Sequence, residues 1–346
     1  MGTTTPLANR LEKIWDTPHT FVGSLTNVDH KTLGKRYLVT AFIFLCLGGI
    51  EAALMRAQLA RPGQHLLSAE AYNQLFTMHG TTMMFLYAAP VLSGFSNYFV
   101  PLLIGSRDLA FPRLNAFSYW IFLFAGIFLY SSFLVGAAPN GGWFNYVPLT
   151  TRPFDPGINI DFYNIALIFL SVSTTVGAVN FIVSILRMRA PGMTLGRMPI
   201  YLWSTLSTSV VILFSLPALT GACLMLELDR RLGTRFFDPS GGGSSLLWQH
   251  LFWAFGHPWV YVVVLPGFGI VSMAMPAFTR RRLAGFDYVA MSTVAIAIIG
   301  FGVWAHHMFA TGLPTVGMGF FSAASMIIVL PSGVSVVAWL LTVWTG

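Results

Sequence analysis

Three imidazoles and a phenol stand in stretches of sequence that are otherwise apolar. His257 and Tyr261 fall in Trp248-Gln249-His250-Leu251-Phe252-Trp253-Ala254-Phe255-Gly256-His257-Pro258-Trp259-Val260-Tyr261, and His306 and His307 in Trp304-Ala305-His306-His307-Met308-Phe309. Ionisable groups inside segments apolar enough for a bilayer are costly there and are functional by default. Three histidines with a fourth position left open form the ligand set of a catalytic copper or zinc, and imidazole suits both ions. His257 and Tyr261 are spaced i, i+4, so a helix puts them on one face, a turn apart. His306 and His307 are separated by about 100° around an α-helix and can grip a metal from two sides.

Other polar residues in apolar runs divide more evenly between chemistry and packing. His79 lies in Phe76-Thr77-Met78-His79-Gly80-Thr81-Thr82-Met83-Met84. It reads equally as a hydrogen-bonded packing residue or as an axial ligand of a flat macrocycle, which its small and Met neighbours would let approach. Glu51, in Gly48-Gly49-Ile50-Glu51, faces either a helix partner or a water cavity. His250 shares the stripe of His257 two turns earlier and reads as a structural hydrogen bond. The 15 Met and the aromatic residues are read as bundle packing.

The elements that must position these groups are membrane spans. Of 346 residues, 55% are hydrophobic and 9% charged, against roughly 25% charged in soluble domains. The net charge of +7 does not point to nucleic acid, because no Lys or Arg falls in the middle of an apolar run. Eight runs are long enough for the roughly 20 residues that cross a bilayer: Tyr37–Met55, Tyr72–Ile104, Leu114–Ala138, Phe162–Leu186, Tyr201–Leu226, Leu246–Met275, Phe286–Ala310 and Gly319–Val343. With these spans, 13 of the 19 basic residues fall on one side and 6 on the other, so the positive-inside rule places both termini in the cytoplasm. The expected organisation is a cytoplasmic segment over residues 1–36 and an all-α transmembrane core over 37–346. Cys46 and Cys223 sit in different apolar segments, which argues against a disulfide framework. No cleavable leader is read at the start, so the first span is expected to serve as the insertion signal. Gly241-Gly242-Gly243 lacks the Lys-Ser/Thr and the preceding strand of a phosphate loop, and reads as a turn. A transporter is the rival from another class, but no related halves with broken helices are apparent.

The chain resembles subunit I of the haem–copper oxidases, the cytochrome c oxidase type, over essentially its whole length. The resemblance is carried by Trp248 to Pro258, Leu265-Pro266-Gly267-Phe268-Gly269, Trp304 to Phe309, Phe236-Phe237-Asp238-Pro239 and Asp108-Leu109-Ala110-Phe111-Pro112-Arg113-Leu114-Asn115. Gly48 to Gln58 is similar to the bacterial branch. The resemblance implies two haems and a copper, dioxygen as acceptor, and cytochrome c or quinol as donor. It also implies a dicopper subunit II among the partners, and a multi-pass location in the bacterial inner membrane with no nucleic acid. His257, His306 and His307 become the copper ligands, with Tyr261 cross-linked to His257 and able to supply an electron and a proton, and Trp253 stacked nearby. His79 becomes an axial ligand of the low-spin haem, with Arg56 and Trp143 beside it. Asp108 becomes the mouth of a proton pathway lined by Asn97, Asn115, Ser173, Thr174 and Asn180, while Ser272 and Ser332 belong to a second route.

This sequence departs from that pattern in three places. Trp259 stands where the family carries a proton-relaying glutamate, and Ser335 where it carries a lysine, so proton pumping is not expected by the usual route. The family also has roughly a dozen spans, a later one bearing a His pair that completes both haem sites, and none of the eight His here is left to stand in. The expectation is that another chain or segment supplies those helices. A catalytically silent paralogue is the strongest alternative.

Overall fold

The computed structural model describes residues 20–344 and 346, and every regular element among them is helical. Eight helices are long and apolar enough to cross a membrane: α1 His30–Gln58, α2 Ala69–Ile104, α3 Pro112–Leu134, α4 Asn159–Arg187, α5 Ile200–Leu232, α6 Ser245–Thr279, α7 Phe286–Thr311 and α8 Thr315–Trp344. Each contains its expected span apart from the few residues by which Leu114–Ala138 overruns α3. All-helical architecture follows from the solvent, since a chain without water to satisfy its backbone must bond each amide within its own segment.

α1 packs against both α2 and α3, α3 to α6 pack in succession, and α7 closes on α5, α6 and α8. One large apolar core runs through the bundle, from Leu33, Phe44 and Leu86 to Phe252, Phe255 and Trp259. Outward positions such as Phe42, Phe124, Phe214, Ile298 and Leu340 are exposed, as lipid-facing positions must be.

The helix ends begin where sequence chemistry dictates. Asp29, Ser68 and Ser244 each accept a hydrogen bond from a first-turn amide of the helix that follows, supplying what the first turn lacks. The Asp29 cap starts α1 seven residues before Tyr37, so the boundary drawn after residue 36 falls inside a helix. Residues 1–19 of that N-terminal segment, with His19, lie outside the described residues.

His30, within the residues 1–36 expected to form a cytoplasmic segment, is instead buried, and its Nδ1 bonds the Asn97 carbonyl at 2.9 Å. The reason is the close crossing of α1 and α2. A Cβ on Gly34 would stand 2.8 Å from the Gly94 carbonyl, a small-residue approach of the kind that lets membrane helices pack.

On the other side of the bundle one buried guanidinium ties a long connection down. Arg230, 3% exposed, donates to Asp161 at 2.7 Å and to the carbonyls of Thr150, Asp155 and Gly157. Asp161 also accepts from Arg231 at 2.6 Å. Removing one partner of a buried pair leaves stranded polar groups, so Arg230→Ala is expected to cost about 3–5 kcal/mol. A thermal melt of the purified protein checks this; a melting temperature equal to wild type would show that the loop is held elsewhere.

Candidate metal centre

The α6 segment that carries His257 and Tyr261 contains Pro258, within a continuous helix that also contains Pro266 and Pro276. Proline has no amide hydrogen, so the Ala254 carbonyl loses its helical donor. His306 and His307 are not on an α-helix. Trp304–Thr311 is a 3-10 segment with a kink at Met308, so successive side chains fan out by about 120° rather than 100°.

The proline-bearing helix and the 3-10 segment bring the three imidazoles together. His257 Nδ1 lies 2.8 Å from His306 Nε2 and 3.0 Å from His307 Nε2, and one ligand atom from each ring lies within 4.8 Å of the others. Three neutral imidazoles aimed at one point cannot all pair, because each lone pair there needs a proton or a cation. Metal–nitrogen bonds of about 2.0 Å separate tetrahedral ligands by roughly 3.3 Å, close to the spacing seen. The donor set therefore fits a metal ion, and this group is the only cluster of three or more His, Cys, Asp or Glu of metal-binding geometry among the described residues.

The surroundings brace the ligands. Trp253 lies parallel to the His307 ring, 2° apart in plane and 3.9 Å between centroids. Its indole N–H donates to the Tyr146 hydroxyl at 2.5 Å, and burial pushes that phenol above its ordinary pKa against this hydrogen bond. Tyr261 sits 4.9 Å from His257, centroid to centroid. Gly300 of α7 makes room for it, since a Cβ there would meet the Tyr261 ring at 2.5 Å. His250 Nδ1 accepts from the Trp304 indole at 3.4 Å, outside the cluster.

His79 stands apart on α2. Its Nδ1 is 2.8 Å from the Gly48 carbonyl; a carbonyl only accepts, so Nδ1 carries the proton and Nε2 keeps a free lone pair. A π-helical stretch, Thr82–Ala88, follows directly, an irregularity often found at functional sites. Trp143 crosses beside Gly80 and makes edge contacts with Phe252 and Trp253, so it lies between His79 and the triad. Arg56 is exposed at the end of α1, and Glu51 is buried at 5% exposure.

The remaining sequence-selected residues separate into three situations. Asn97, Ser173 and Thr174 line one cavity of about 30 Å³ together with Tyr37, Ser93 and Ser118, enough for a water molecule or two. Asn115 is fully buried near it, and its side-chain oxygen and nitrogen both lack partners. Asn180 is otherwise engaged, clamping the backbone of Phe111 through both amide atoms. Asp108 lies in the connection before α3, its carboxylate accepting from the Leu109 amide at 2.7 Å. Burial raises its pKa above the usual carboxylate value, and that hydrogen bond partly offsets the rise. On the second route, Ser272 Oγ accepts the Trp339 indole at 2.9 Å, Ser332 is half-buried on α8, and Ser335 is buried without a partner. Both cysteines are free.

Residues 32–346 match the family described as cytochrome c and quinol oxidase polypeptide I. The chain belongs to this family. Members of the haem–copper oxidase family bind haem and copper, and here the triad can hold a metal. A Streptomyces coelicolor protein provisionally named cytochrome c oxidase subunit 1-beta is 52% identical over 93% of this chain and 56% of its own length. Cytochrome c oxidase subunit 1 of Bacillus subtilis is 47% identical over 93% of the chain and 51% of its own. A solved heme-copper terminal oxidase dimer shares the fold at a TM-score of 0.76, with 18% identity over 91% of this chain and 52% of that one. The chain thus spans about half the length of the curated relatives it matches. It is a multi-pass membrane member of an oxidoreductase family whose polypeptide I works beside other oxidase subunits.

Proposed function

We propose that this chain is the copper-bearing portion of the catalytic subunit of a bacterial respiratory terminal oxidase, reducing dioxygen to water with electrons from cytochrome c. The convergence of His257, His306 and His307 within hydrogen-bonding distance in a membrane-embedded core carries the reading. Those three residues would hold copper, and His79 one face of the low-spin haem, with Arg56 and Trp143 alongside. Copper and haem together supply the redox chemistry. The protein supplies the rest. Trp253 fixes the plane of His307, Tyr261 stands where it can give a proton and an electron, and the apolar packing around α6 excludes bulk water.

Asp108, Asn97, Asn115, Ser173 and Thr174 are assigned to proton entry, but the assignment stops short of the metal centre. Phe85 lines the hydroxyl-bearing cavity and also packs on Trp259 at 5.5 Å and on Phe255 at 5.7 Å. An aromatic wall therefore stands between that cavity and His257, and we assign no pumping through it. Ser272 and Ser332 remain the polar groups of the second route. The ligands that complete both haem sites are assigned to a further chain or segment, and electron entry to a dicopper subunit II. The same wall favours one second reading, a catalytically silent paralogue. A quinol-oxidising member is the other donor class that the family description covers.

The test is to purify the complex carrying this chain from its native membrane, and to measure haem, copper and the intact mass of every subunit. Haem and copper together with turnover on reduced cytochrome c support the oxidase. Copper without turnover supports the silent paralogue, and absence of both metal groups removes the proposal.

A further inference from the structure

Glu51 is a buried carboxyl on α1 that neither the metal centre nor the proton routes use. Neither of its oxygens makes a hydrogen bond, and it takes part in no ion pair among the described residues. An unpaired carboxylate in a membrane core is costly, and a single proton removes that cost. The polar group that faces it is the Tyr130 hydroxyl of α3, which lies 2.9 Å from Thr82 Oγ of α2. Either hydroxyl of this pair can be the donor. With Tyr130 donating to Thr82, the phenol oxygen is free to accept from a protonated Glu51. With Thr82 donating to Tyr130, the phenol hydrogen is free to go to the ionised carboxylate. The pair therefore serves both forms of the carboxyl by reversing its direction, with no movement of a helix.

The same residues adjoin the support of His79. The Gly48 carbonyl that accepts from His79 Nδ1 lies one turn before Glu51 on α1. Thr82 lies one turn after His79, at the start of the π-helical stretch. A Cβ on Gly48 would stand 3.3 Å from the Thr82 methyl and 2.9 Å from Met83 Cε. One glycine crossing thus orients His79 and seats the hydroxyl pair beside Glu51. The other titratable groups of α1, α2 and α3 in this region are engaged or turned away. The His79 Nδ1–H is spent on Gly48, Tyr119 is bonded to Thr40 three turns back, and Glu70 is held by Gln74 and Asn140. Arg56 and Cys46 are exposed.

We propose that Glu51 is a redox-linked proton site of the low-spin haem, taking up a proton when an electron reaches that haem and releasing it when the electron leaves. The proposal rests on the assignment of His79 to that haem. The electron comes from the respiratory donor and the proton from the aqueous phase, and only the carboxyl O–H bond forms or breaks. The buried core then gains no net charge in either direction. Proton and electron strengthen each other's binding by the same factor, and a unit charge nearby changes a carboxyl's proton affinity by roughly tenfold or more.

The test uses the complex purified with its native partners, titrated with electrons at a series of pH values while haem absorption is followed. As pH rises, the ratio of reduced to oxidised low-spin haem at a fixed ambient potential is expected to fall in wild type and in Glu51→Asp. In Glu51→Gln, which keeps the shape and loses the acid, the fall should be smaller by roughly tenfold. Reduced-minus-oxidised infrared spectra of wild type should show a carboxylic C=O band that moves in heavy water and is absent from Glu51→Gln. A merely structural carboxyl would lower stability without moving either readout. Equal pH dependence in wild type and Glu51→Gln, or a band that survives in Glu51→Gln, would overturn the proton site. If Glu51→Gln does not assemble, Glu51→Asp carries the test, since its band must differ in frequency from that of wild type, and an identical band would overturn the site. Wild type that carries no low-spin haem would instead overturn the His79 assignment, so the two failures are distinct.

Discussion

Replacing His306 with alanine is expected to strip the centre of copper and abolish dioxygen reduction while leaving the protein in the membrane. His306 Nε2 and His307 Nε2 both meet His257 Nδ1. Removing one nitrogen leaves two protein ligands, below the three that hold a catalytic ion. The loss should exceed the roughly 10- to 100-fold that an outer-shell change costs. Insertion should survive, because His306 is only half-buried and its two hydrogen-bonding neighbours keep other contacts. Ser325 still bonds Phe321, and His257 still faces His307. Copper per chain, with haem and yield as controls, reads the result. Copper at wild-type stoichiometry would remove His306 from the ligand set.

The alphabet of this site was legible in the sequence for one physical reason. A bilayer makes every retained imidazole or carboxylate expensive, so His257, His306, His307, His79 and Glu51 stood out against their apolar neighbours. The eight spans were legible on the same ground, since hydropathy reads the solvent. Local conformation was less so. His306 and His307 are polar neighbours whether they lie on an α-helix or on the 3-10 turn that is found, and composition does not separate the two. The π-helical stretch after His79 is equally silent in sequence. Supporting groups were hardest of all. Ser325, Tyr146 and Gly300 each act on a residue far away in the chain, and a hydroxyl or a glycine carries no mark of the ring it will meet. His30 shows the converse. Its neighbours Asp29 and Lys31 read as a connection, yet the Gly34–Gly94 crossing buries it.

The second large expected effect concerns Trp259. Its indole is 1% exposed, packed at 5.0 Å from Phe255 and 5.5 Å from Phe85, and its Nε1–H has no partner. Truncating a buried tryptophan costs about 3–5 kcal/mol, while a stranded N–H already costs about 1–3 kcal/mol. Trp259→Glu should therefore lower the melting temperature by less than a packing argument alone gives. Its functional effect should run the other way. Glutamate at 259 replaces part of the wall with a group that exchanges protons, placed two residues from His257 and against the Phe85 side of the cavity lined by Asn97, Ser118, Ser173 and Thr174. Protons translocated per electron, measured with a pH indicator outside proteoliposomes, are expected to rise above wild type. Trp259→Gln opens similar space without an exchangeable acid and should show no rise. A gain shared by both variants would mean that water entry, rather than a carboxyl, is limiting. No gain in a folded, copper-loaded Trp259→Glu would mean that the route is closed elsewhere, and Phe85 becomes the residue to change.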